Sequence, residues 1–318
     1  MNKLFELMEK IRYFFEHELY FYSMRLFKKY YIIRRTEKGA GFFSNYYWVM
    51  GHVIFAKKLG YIPVVDMENY PTLYSEEAEI NGTSNAWNYY FYDVGNISLE
   101  DAYSSRRFVL GEIRHLSKYA DRYSDATYRF PSPKAVVYYS AYINRYMCIR
   151  KEILSEFEEY WHRVISDGEV IGIHIRGTDM KNDLGHPVPA ELGLYTSKLK
   201  QLIIDKGVKY VYLATDEKAV IKEISETIGE NVDLIYQNAF RSDKQDDAHR
   251  VGIHHQVSSD ARYKHKYLLG FEVLKDAWCL SKCDYLICGM SNVTNVAVIW
   301  NNNCYKKIVC IKNECEKE

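Results

Sequence analysis

The positions of apolar and polar residues divide the chain into two parts of different regularity. In the first part, a short apolar run at 30–35 precedes the glycine-bearing residues 38–43 and apolar positions at helical spacing over 45–59. A second apolar run, 61–66, follows Gly60. This order of strand, glycine loop, helix and strand predicts the start of an open parallel sheet.

Longer segments around this unit have other patterns. Residues 68–95 are rich in Asn, Tyr, Gly and Trp, which predicts irregular structure of the kind found beside functional clefts. Residues 98–130 predict a helix and a loop. Residues 133–165 show one long helical pattern, which would join two domains. Residues 1–30 carry a charge every few positions and predict an amphipathic helix.

The second half of the chain alternates strand and helix patterns regularly. The predicted strands are 170–176, 209–216, 232–236, 283–288 and 306–311, and the predicted helices are 195–206, 218–228, 266–281 and 292–300. The polar segment 238–266 is predicted as a loop. The series predicts a Rossmann-like parallel sheet. We therefore expect an α/β fold with two Rossmann-like lobes facing a cleft, divided into domains 1–165 and 166–318.

Composition narrows the classes of function. The 318 residues suffice for two domains, and 42 basic residues balance 42 acidic ones. A formal net charge of zero argues against non-specific binding of DNA, RNA or an anionic membrane, so an anionic ligand must be held locally. The 30 tyrosines leave two interpretations open: a compositional habit of the source, which we favour, or interfaces and sugar-binding clefts.

Cysteine usage and hydropathy bear on location. The seven cysteines are an odd number without a CxxC pair, which argues against a disulfide framework and a structural zinc site. Several lie in apolar runs, as buried thiols in a reducing cytosol would. No apolar core of a signal peptide and no membrane span are visible. We expect a cytoplasmic protein whose N-terminal helix packs on its own core, with peripheral membrane contact as the alternative.

Polar residues follow the predicted strands at the edge where parallel sheets bind ligands. His174 and Arg176 end the first strand of the second half, and the arginine could hold a phosphate in a bidentate fork or pair structurally with Asp179. Asp216 and Glu217 follow the next strand. They could accept hydrogen bonds from a ribose or base, although helix capping is the favoured interpretation.

A third group lies on and after the predicted helix 266–281. Asp276 belongs to that helix, and Ser291 with Asn292 stands where a later strand gives way to a helix. Free N–H groups at such a helix start form an anion site, a role compatible with capping. The Gly39/Gly41 loop is neither a Walker motif nor GxGxxG and is weak evidence for a nucleotide.

Other chemistries receive little support. Four histidines lie in the long polar segment without a carboxylate or cysteine at ligand spacing, which disfavours zinc: His249, His254, His255 and His265. No DxD flanked by apolar strand residues is present, and the adjacent pair Asp246-Asp247 is a poor substitute. The absence of a GxSxG elbow argues against a serine hydrolase.

Three of these stretches, HIRGTD at 174–179, YLATDE at 212–217 and the block 269–298, occur in a recognisable order. The set resembles the GDP-fucose-dependent fucosyltransferases: the alpha-1,6 enzymes, the nodulation fucosyltransferases and, more distantly, the protein O-fucosyltransferases. Its most specific part runs from Asp276 to Ser291 in the third stretch. The resemblance is good over 166–300, looser over 30–66 and absent over 67–165.

The resemblance implies a GT-B-like fold and an inverting, metal-independent transfer of fucose from GDP-fucose to a hydroxyl of a glycan acceptor. It implies no cofactor, with acceptor binding on the N-terminal domain and the GDP-sugar on the C-terminal domain. The residues it implies for the donor site are Arg176 at the β-phosphate, Asp276 at the guanine, Ser291 and Asn292 near the phosphates, Asp216 and Glu217 on the nucleoside side, His174 of the first motif, and Gly39 and Gly41 of the first loop.

Departures from the family pattern leave alternatives open. Gly177 stands at the second motif arginine, Asn292 at the second serine and Met180 at a lysine. The family's proposed catalytic glutamate has no exact counterpart, and Asp183 lies closest to it in the loop before His186-Pro187, which makes Asp183 the candidate general base. The alternatives are a transferase for another nucleotide sugar and an inactive nucleotide-sugar-binding protein.

Overall fold

The computed structural model of the protein describes residues 19–111, 130–176, 190–241 and 262–311, together with residues 8 and 11. These residues contain two parallel sheets, one of three strands in the order β2-β1-β3 and one of five strands in the order β6-β5-β4-β7-β8. The strands are β1 Tyr30–Ile33, β2 Ile62–Val65, β3 Phe108–Leu110, β4 Val170–Ile175, β5 Tyr210–Thr215, β6 Asp233–Ile235, β7 Tyr285–Cys288 and β8 Lys307–Cys310.

The helices lie between the strands along the chain. They are α1 Leu19–Met24, α2 Phe42–Lys58, α3 Leu99–Ser104, α4 Pro133–Tyr146, α5 Lys151–Val164, α6 Leu192–Lys206, α7 Lys218–Ile228, α8 His265–Lys282 and α9 Asn292–Asn301. The alternation of strands and helices confirms the predicted α/β class, and the described residues form two separate parallel sheets.

The first sheet is buried on both faces, which explains why its strands are apolar runs rather than alternating patterns. In β1, Tyr31 and Ile33 pack in the core that contains α2, whereas Tyr30 and Ile32 pack with Ala102 of α3. Successive side chains of a strand point to opposite faces, so four consecutive buried residues need cover on both sides.

The second sheet has the same construction. Along β4, Ile171, Ile173 and Ile175 pack against α6 and α7, and the intervening positions face the side covered by α8 and α9. His174 is one of those intervening positions, so the strand period carries this polar side chain into contact with α9.

Packing between α8 and the irregular residues before α3 joins the two halves of the chain. The Tyr90 hydroxyl donates to the backbone oxygen of Tyr267 at 2.8 Å, and the two rings stack with centroids 5.4 Å apart. Gly270 makes this approach possible, because a Cβ there would lie 2.3 Å from the Tyr90 Oη and 3.0 Å from Phe42. Tyr90 is one of the fully buried tyrosines; most of the others also lie in the core around α2 and β1.

Several predicted elements differ from the structure. Residues 108–110 form β3, where the sequence predicted only a helix and a loop over 98–130. The pattern over 133–165 is two helices, because Met147 ends α4 in a non-helical conformation and α5 begins after Arg150. Helix α2 begins at Phe42, directly after Gly41, rather than at Asn45.

The structure also bears on the expectations about cysteines and membrane contact. Cys279, Cys283 and Cys288 are buried free thiols, as predicted, whereas Cys148 and Cys304 are exposed. No helix within the described ranges is both long and apolar enough to cross a membrane. The cytoplasmic location, the peripheral membrane contact and the domain boundary between 165 and 166 stay predictions. Helices α4 and α5, before that boundary, contact α9 and α8 beyond it.

Candidate functional site

The strongest candidate site lies at the carboxyl ends of β4 and β7. The chain adds β5 and β6 on one side of β4 and then β7 and β8 on the other, so the strand order reverses between β4 and β7. Ligands of open α/β sheets bind outside the carboxyl ends of the strands at such a switch point. His174 and Cys288 are register partners at this edge.

Helix α9 begins at the same edge and is capped by the residue that the sequence singled out. The Ser291 hydroxyl accepts from the Thr294 N–H at 3.1 Å, and the Asn295 N–H donates to the Ser291 carbonyl at 3.0 Å. The N–H groups of Asn292 and Val293 have no partner within the described ranges. These two donors, with the positive end of the helix dipole, suit an anion.

The side chain of His174 joins β4 to this helix. Its Nδ1 lies 2.9 Å from the Thr294 hydroxyl and 3.3 Å from the Ser291 hydroxyl. Burial and, secondarily, the neighbouring charge of Arg176 lower the pKa of His174 to about 3. The imidazole is therefore neutral at physiological pH, and it positions the start of α9 without adding charge.

Arg176 supplies the positive charge of this edge. It stands one residue beyond β4, is half-buried, and is close enough to His174 to depress that pKa. His174 is next to both the Arg176 charge and the start of α9, so the guanidinium and the N–H groups contribute positive charge and donors to the surface at this edge. Such a surface stabilises negative charge on a phosphate.

Asn292 adds an acceptor to the same surface. Its Oδ1 is buried and has no hydrogen-bond partner in the part of the chain that the structure describes. A buried amide oxygen needs a donor such as a ligand hydroxyl, and the same amide rotated by half a turn would offer its NH₂ to a phosphate oxygen.

Asp276 lies on α8 beneath the neighbouring strand β5. Its carboxyl oxygen Oδ1 accepts from the Tyr212 hydroxyl at 2.8 Å, and the side chain is buried. Burial raises the pKa of Asp276 to about 7, against the lowering effect of Tyr212, Arg241 and Gln237. A carboxylate offers about four lone-pair positions, so the Tyr212 bond leaves room for further donors.

Arg241 organises the chain around this carboxyl. It is buried and donates to three backbone oxygens: those of Thr215 at 3.1 Å, Gln237 at 2.7 Å and Ala239 at 3.2 Å. These bonds fix residues 237–241 against the carboxyl end of β5. Gln237 in turn donates to the Glu272 backbone oxygen on α8 at 2.6 Å.

The two acidic residues after β5 have different positions. Glu217 is buried at the N-cap position of α7, but its side chain makes no capping hydrogen bond, contrary to the favoured interpretation of capping for this residue. Asp216 precedes it and is half-buried. Both lie on the carboxyl edge of the second sheet.

The glycine loop belongs to the other sheet. Gly41 is the N-cap of α2 in an extended conformation, and a Cβ at this position would meet no atom within 4 Å. Gly39 is exposed in the same loop. The first residue of α2, Phe42, lies near Gly270, six residues before Asp276 on α8.

Some of the sequence-based candidates cannot be placed. Asp183, the candidate general base, lies outside the described residues, as do Gly177 and Met180. So do His249, His254 and His255; His265 begins α8, where Arg262 donates to its Nδ1 at 3.2 Å. Among the described residues, no group of three or more His, Cys, Asp or Glu side chains is arranged to hold a metal ion.

Sequence reasoning did not identify three residues that complete the arrangement. Thr294 was recognisable only as the third helical position after a capping serine. Tyr212 has the pattern of an ordinary strand residue, and Arg241 lies in a segment that the sequence predicts as a loop. Thr294 and Tyr212 act through contacts with residues 120 and 64 positions away. Arg241 acts through backbone oxygens, which a sequence pattern does not mark.

Comparison with known proteins gives structural neighbours only. No protein-family model and no curated protein sequence matches the chain. NodZ alpha-1,6-fucosyltransferase soaked with GDP-fucose is 16% identical, with 86% of this chain and 92% of that chain covered and a TM-score of 0.46. Fucosyltransferase NodZ from Bradyrhizobium is 15% identical, with 85% and 92% covered and a TM-score of 0.46.

A further neighbour is POFUT1 in complex with GDP-fucose. It is 10% identical, with 90% of this chain and 98% of that chain covered and a TM-score of 0.49. These neighbours are GDP-fucose fucosyltransferases. The sequence motifs indicate a resemblance to the same class of proteins.

Proposed function

We propose that the protein is an inverting, metal-independent glycosyltransferase that moves fucose from GDP-fucose to a hydroxyl of a glycan acceptor. The observation that carries this proposal is the meeting of Arg176, neutral His174 and the open N–H groups of α9 at the β4/β7 switch point. The sequence motifs at these positions resemble the donor-binding motifs of the fucosyltransferases, which supports GDP-fucose as the ligand.

The leaving group explains why this surface would be catalytic. As the bond between the sugar and the phosphate loosens, negative charge grows on the departing GDP. The N–H groups of Asn292 and Val293 are held by α9, and Arg176 directly follows β4, so these donors would stabilise that charge with little reorganisation. His174 fixes the start of α9 and, being neutral, leaves the charge balance to Arg176.

Asp276 supports a guanine base rather than adenine or uracil. Guanine presents two adjacent donors, N1–H and the 2-amino group, which one carboxylate can accept together. Adenine and uracil do not present that pair. Tyr212 holds the carboxyl in place, and Arg241 fixes the neighbouring chain segment.

The acceptor hydroxyl must lose its proton as it attacks the sugar. A positioned carboxylate accelerates such a step by about 10²–10⁴-fold. Asp183 is the candidate for this role from the sequence, in the segment directly after Arg176. Orientation of donor and acceptor would supply much of the remaining acceleration.

Calorimetric titration with a panel of nucleotide sugars tests the proposal. GDP-fucose should bind more tightly than UDP- and dTDP-sugars, and acceptor screening with GDP-fucose should then give a fucosylated product. Tight binding of another nucleotide sugar would contradict the donor assignment. Binding of GDP-fucose without transfer to any acceptor would support an inactive binding protein instead.

A further inference from the structure

A second polar cluster lies at the carboxyl ends of the first sheet. Arg34 directly follows β1, Asp66 follows β2 and Gly111 follows β3. Tyr70 and Tyr103 complete the group, which we call the Arg34 cluster. None of these residues belongs to the motifs that the candidate donor site uses.

The topology of the first sheet makes this a ligand-binding position. The chain places β2 on one side of β1 and β3 on the other, so the strand order reverses between β1 and β3. The Arg34 Nε donates to the Gly111 oxygen at 3.3 Å and so bridges the ends of those two strands. This is the place in an open α/β sheet where ligands bind, and it corresponds to the β4/β7 edge of the second sheet.

The Arg34 guanidinium is held in a fixed orientation. Its Nη1 donates to the Tyr70 hydroxyl at 2.7 Å, and the guanidinium carbon lies 5.1 Å from the centroid of the same ring. The Trp48 indole N–H donates to the Arg34 backbone oxygen at 3.0 Å. A guanidinium restrained in this way loses little entropy when it binds a planar anion.

The outer edge of this guanidinium is bonded to none of the described residues. Arg34 is half-buried, and its Nη2 has no hydrogen-bond partner among the described residues. No described carboxylate lies within 4.0 Å of the Arg34 nitrogens, unlike those of the next residue, Arg35, which pairs with Glu37 at 3.7 Å.

Asp66, the nearest acidic group of the cluster, is already committed to other donors. Its Oδ2 accepts from the Tyr103 hydroxyl at 2.6 Å, and its Oδ1 accepts from the Asn69 N–H at 2.8 Å. Burial and the bond to Asp66 raise the pKa of Tyr103, so this phenol keeps its proton and continues to donate. Asp66 therefore builds the wall of the cluster, and no carboxylate among the described residues pairs with the Arg34 charge.

We propose that Arg34 and Tyr70 bind the carboxylate of an acidic sugar, of the uronic acid type, in the acceptor glycan. The planar fork of an arginine matches a carboxylate, and the Tyr70 hydroxyl, which accepts from Arg34, keeps its own proton for the ligand. That the acidic sugar belongs to an acceptor rests on the proposed function, whereas binding of the sugar itself can be measured without a donor.

The test compares two sugars that differ in one group. Methyl glucuronide carries a carboxylate where methyl glucoside carries a hydroxymethyl, and their affinities for the wild-type protein are measured by ligand-observed NMR. The acidic sugar should bind about tenfold more tightly, with the difference shrinking at high salt. Arg34→Met should abolish the preference, and Tyr70→Phe should reduce it severalfold.

Arg145→Gln is the matched control, since Arg145 also lies over a tyrosine, Tyr146, at 5.4 Å, but on α4. It should retain the full preference. Equal affinities for the two sugars, no measurable binding of either, or an unchanged preference in Arg34→Met would overturn the proposal. If Arg34→Met does not fold, an unchanged preference for the acidic sugar in Tyr70→Phe would overturn the proposal instead. Tighter binding of glucose 6-sulfate would refute the carboxylate assignment.

Titration of the same variants with GDP separates this inference from the proposed function. Arg34→Met should bind GDP as the wild type does, because Arg34 contacts no residue of the candidate donor site. A protein that fails to bind GDP but keeps an Arg34-dependent preference for glucuronide would refute the donor proposal alone.

Discussion

At the scale of single residues, two charged side chains are central to the candidate donor site. Arg176 lies half-buried at the end of β4, beside a histidine that its own charge helps to keep neutral. Asp276 is a buried carboxyl whose pKa of about 7 leaves it close to half ionised at neutral pH. These two side chains give the sharpest tests of the candidate donor site.

Replacement of Arg176 should impair turnover more than donor binding. Arg176→Lys keeps the charge but loses the planar fork, so it should be almost as inactive as Arg176→Ala. Loss of such a stabiliser costs about 2.7–4 kcal/mol of barrier, or about 10²–10³ in turnover. Because the charge grows in the transition state, GDP-fucose affinity should fall less.

Turnover and donor affinity are measured for both Arg176 variants, with circular dichroism to confirm folding. A folded Arg176→Ala protein that retains more than about a tenth of wild-type turnover would show that Arg176 is structural.

Replacement of Asp276 should weaken guanine recognition specifically. Asp276→Asn removes a charge-assisted acceptor and should cost about 1.5–3 kcal/mol of GDP affinity by calorimetry. Asp284→Asn is the control, because Asp284 accepts from the Val170 N–H at 3.0 Å at the opposite end of the sheet. Unchanged GDP affinity in a folded Asp276→Asn protein would refute the assignment.

The raised pKa of Asp276 also predicts the pH dependence of GDP binding. In the proposed donor site the ionised form would accept from guanine. With a pKa of about 7, the ionised fraction rises from about a tenth at pH 6 to about nine-tenths at pH 8. GDP should therefore bind up to about tenfold more tightly at pH 8 than at pH 6. Affinity that is flat over this range, or that falls as the pH rises, would contradict the prediction; Asp276→Asn should remove the effect.

At the scale of elements, the starts of α9 and α4 separate a residue that only caps a helix from one that also lies at the candidate donor site. Ser291 caps α9 and Ser132 caps α4, each by accepting from the N–H three residues on. Ser291→Ala and Ser132→Ala should each cost about 0.5–2 kcal/mol of unfolding free energy in urea titrations. Only Ser291→Ala should weaken GDP binding, because only α9 begins beside His174. Equal GDP affinities in the two variants would remove α9 from the site.

The same element gives a prediction about metals. If Arg176 and the N–H groups of α9 stabilise the leaving GDP, transfer should survive EDTA to within about twofold. Loss of activity on chelation, with recovery on addition of Mn²⁺, would reject this account of the charge. The measurement uses the intact protein with GDP-fucose and an acceptor found by screening.

Helices and strands were predictable from the sequence where they are long enough and buried enough to show a clear apolar pattern. The strands of the second sheet are apolar runs buried on both faces and bounded by polar turns, so β4, β5 and β7 were predicted nearly in place. Strand β3 has three half-buried residues, too few to show a period. The break between α4 and α5 was missed because apolar residues continue through it.

At the scale of the whole molecule, the contacts that define the candidate sites were beyond sequence patterns. Strand-end positions follow from the order of elements, which is why His174, Ser291 and Arg176 could be singled out. Their partners come from distant parts of the chain: Thr294 lies 120 residues from His174. The sequence does not predict the Arg34 cluster, because Arg34 is bonded to Gly111 at the end of β3 and the sequence pattern does not indicate that strand.

The packing between the two halves gives the last prediction. Phe42 and Tyr90 from the first half pack in one core with α8 and α9 from the second, and Gly270 lets Tyr90 approach α8. Gly270→Ala would put a methyl group 2.3 Å from the Tyr90 hydroxyl oxygen, whose ring lies between Phe42 and Tyr267. The ring cannot move away without breaking its bond to the Tyr267 oxygen, so we expect a loss of about 1–3 kcal/mol of unfolding free energy. Gly193→Ala, in α6 with no atom within 4 Å of its Cβ, should be neutral or stabilising by up to about 1 kcal/mol. Urea unfolding followed by tryptophan fluorescence measures both, and equal stabilities in the two variants would show that this contact does not couple the halves.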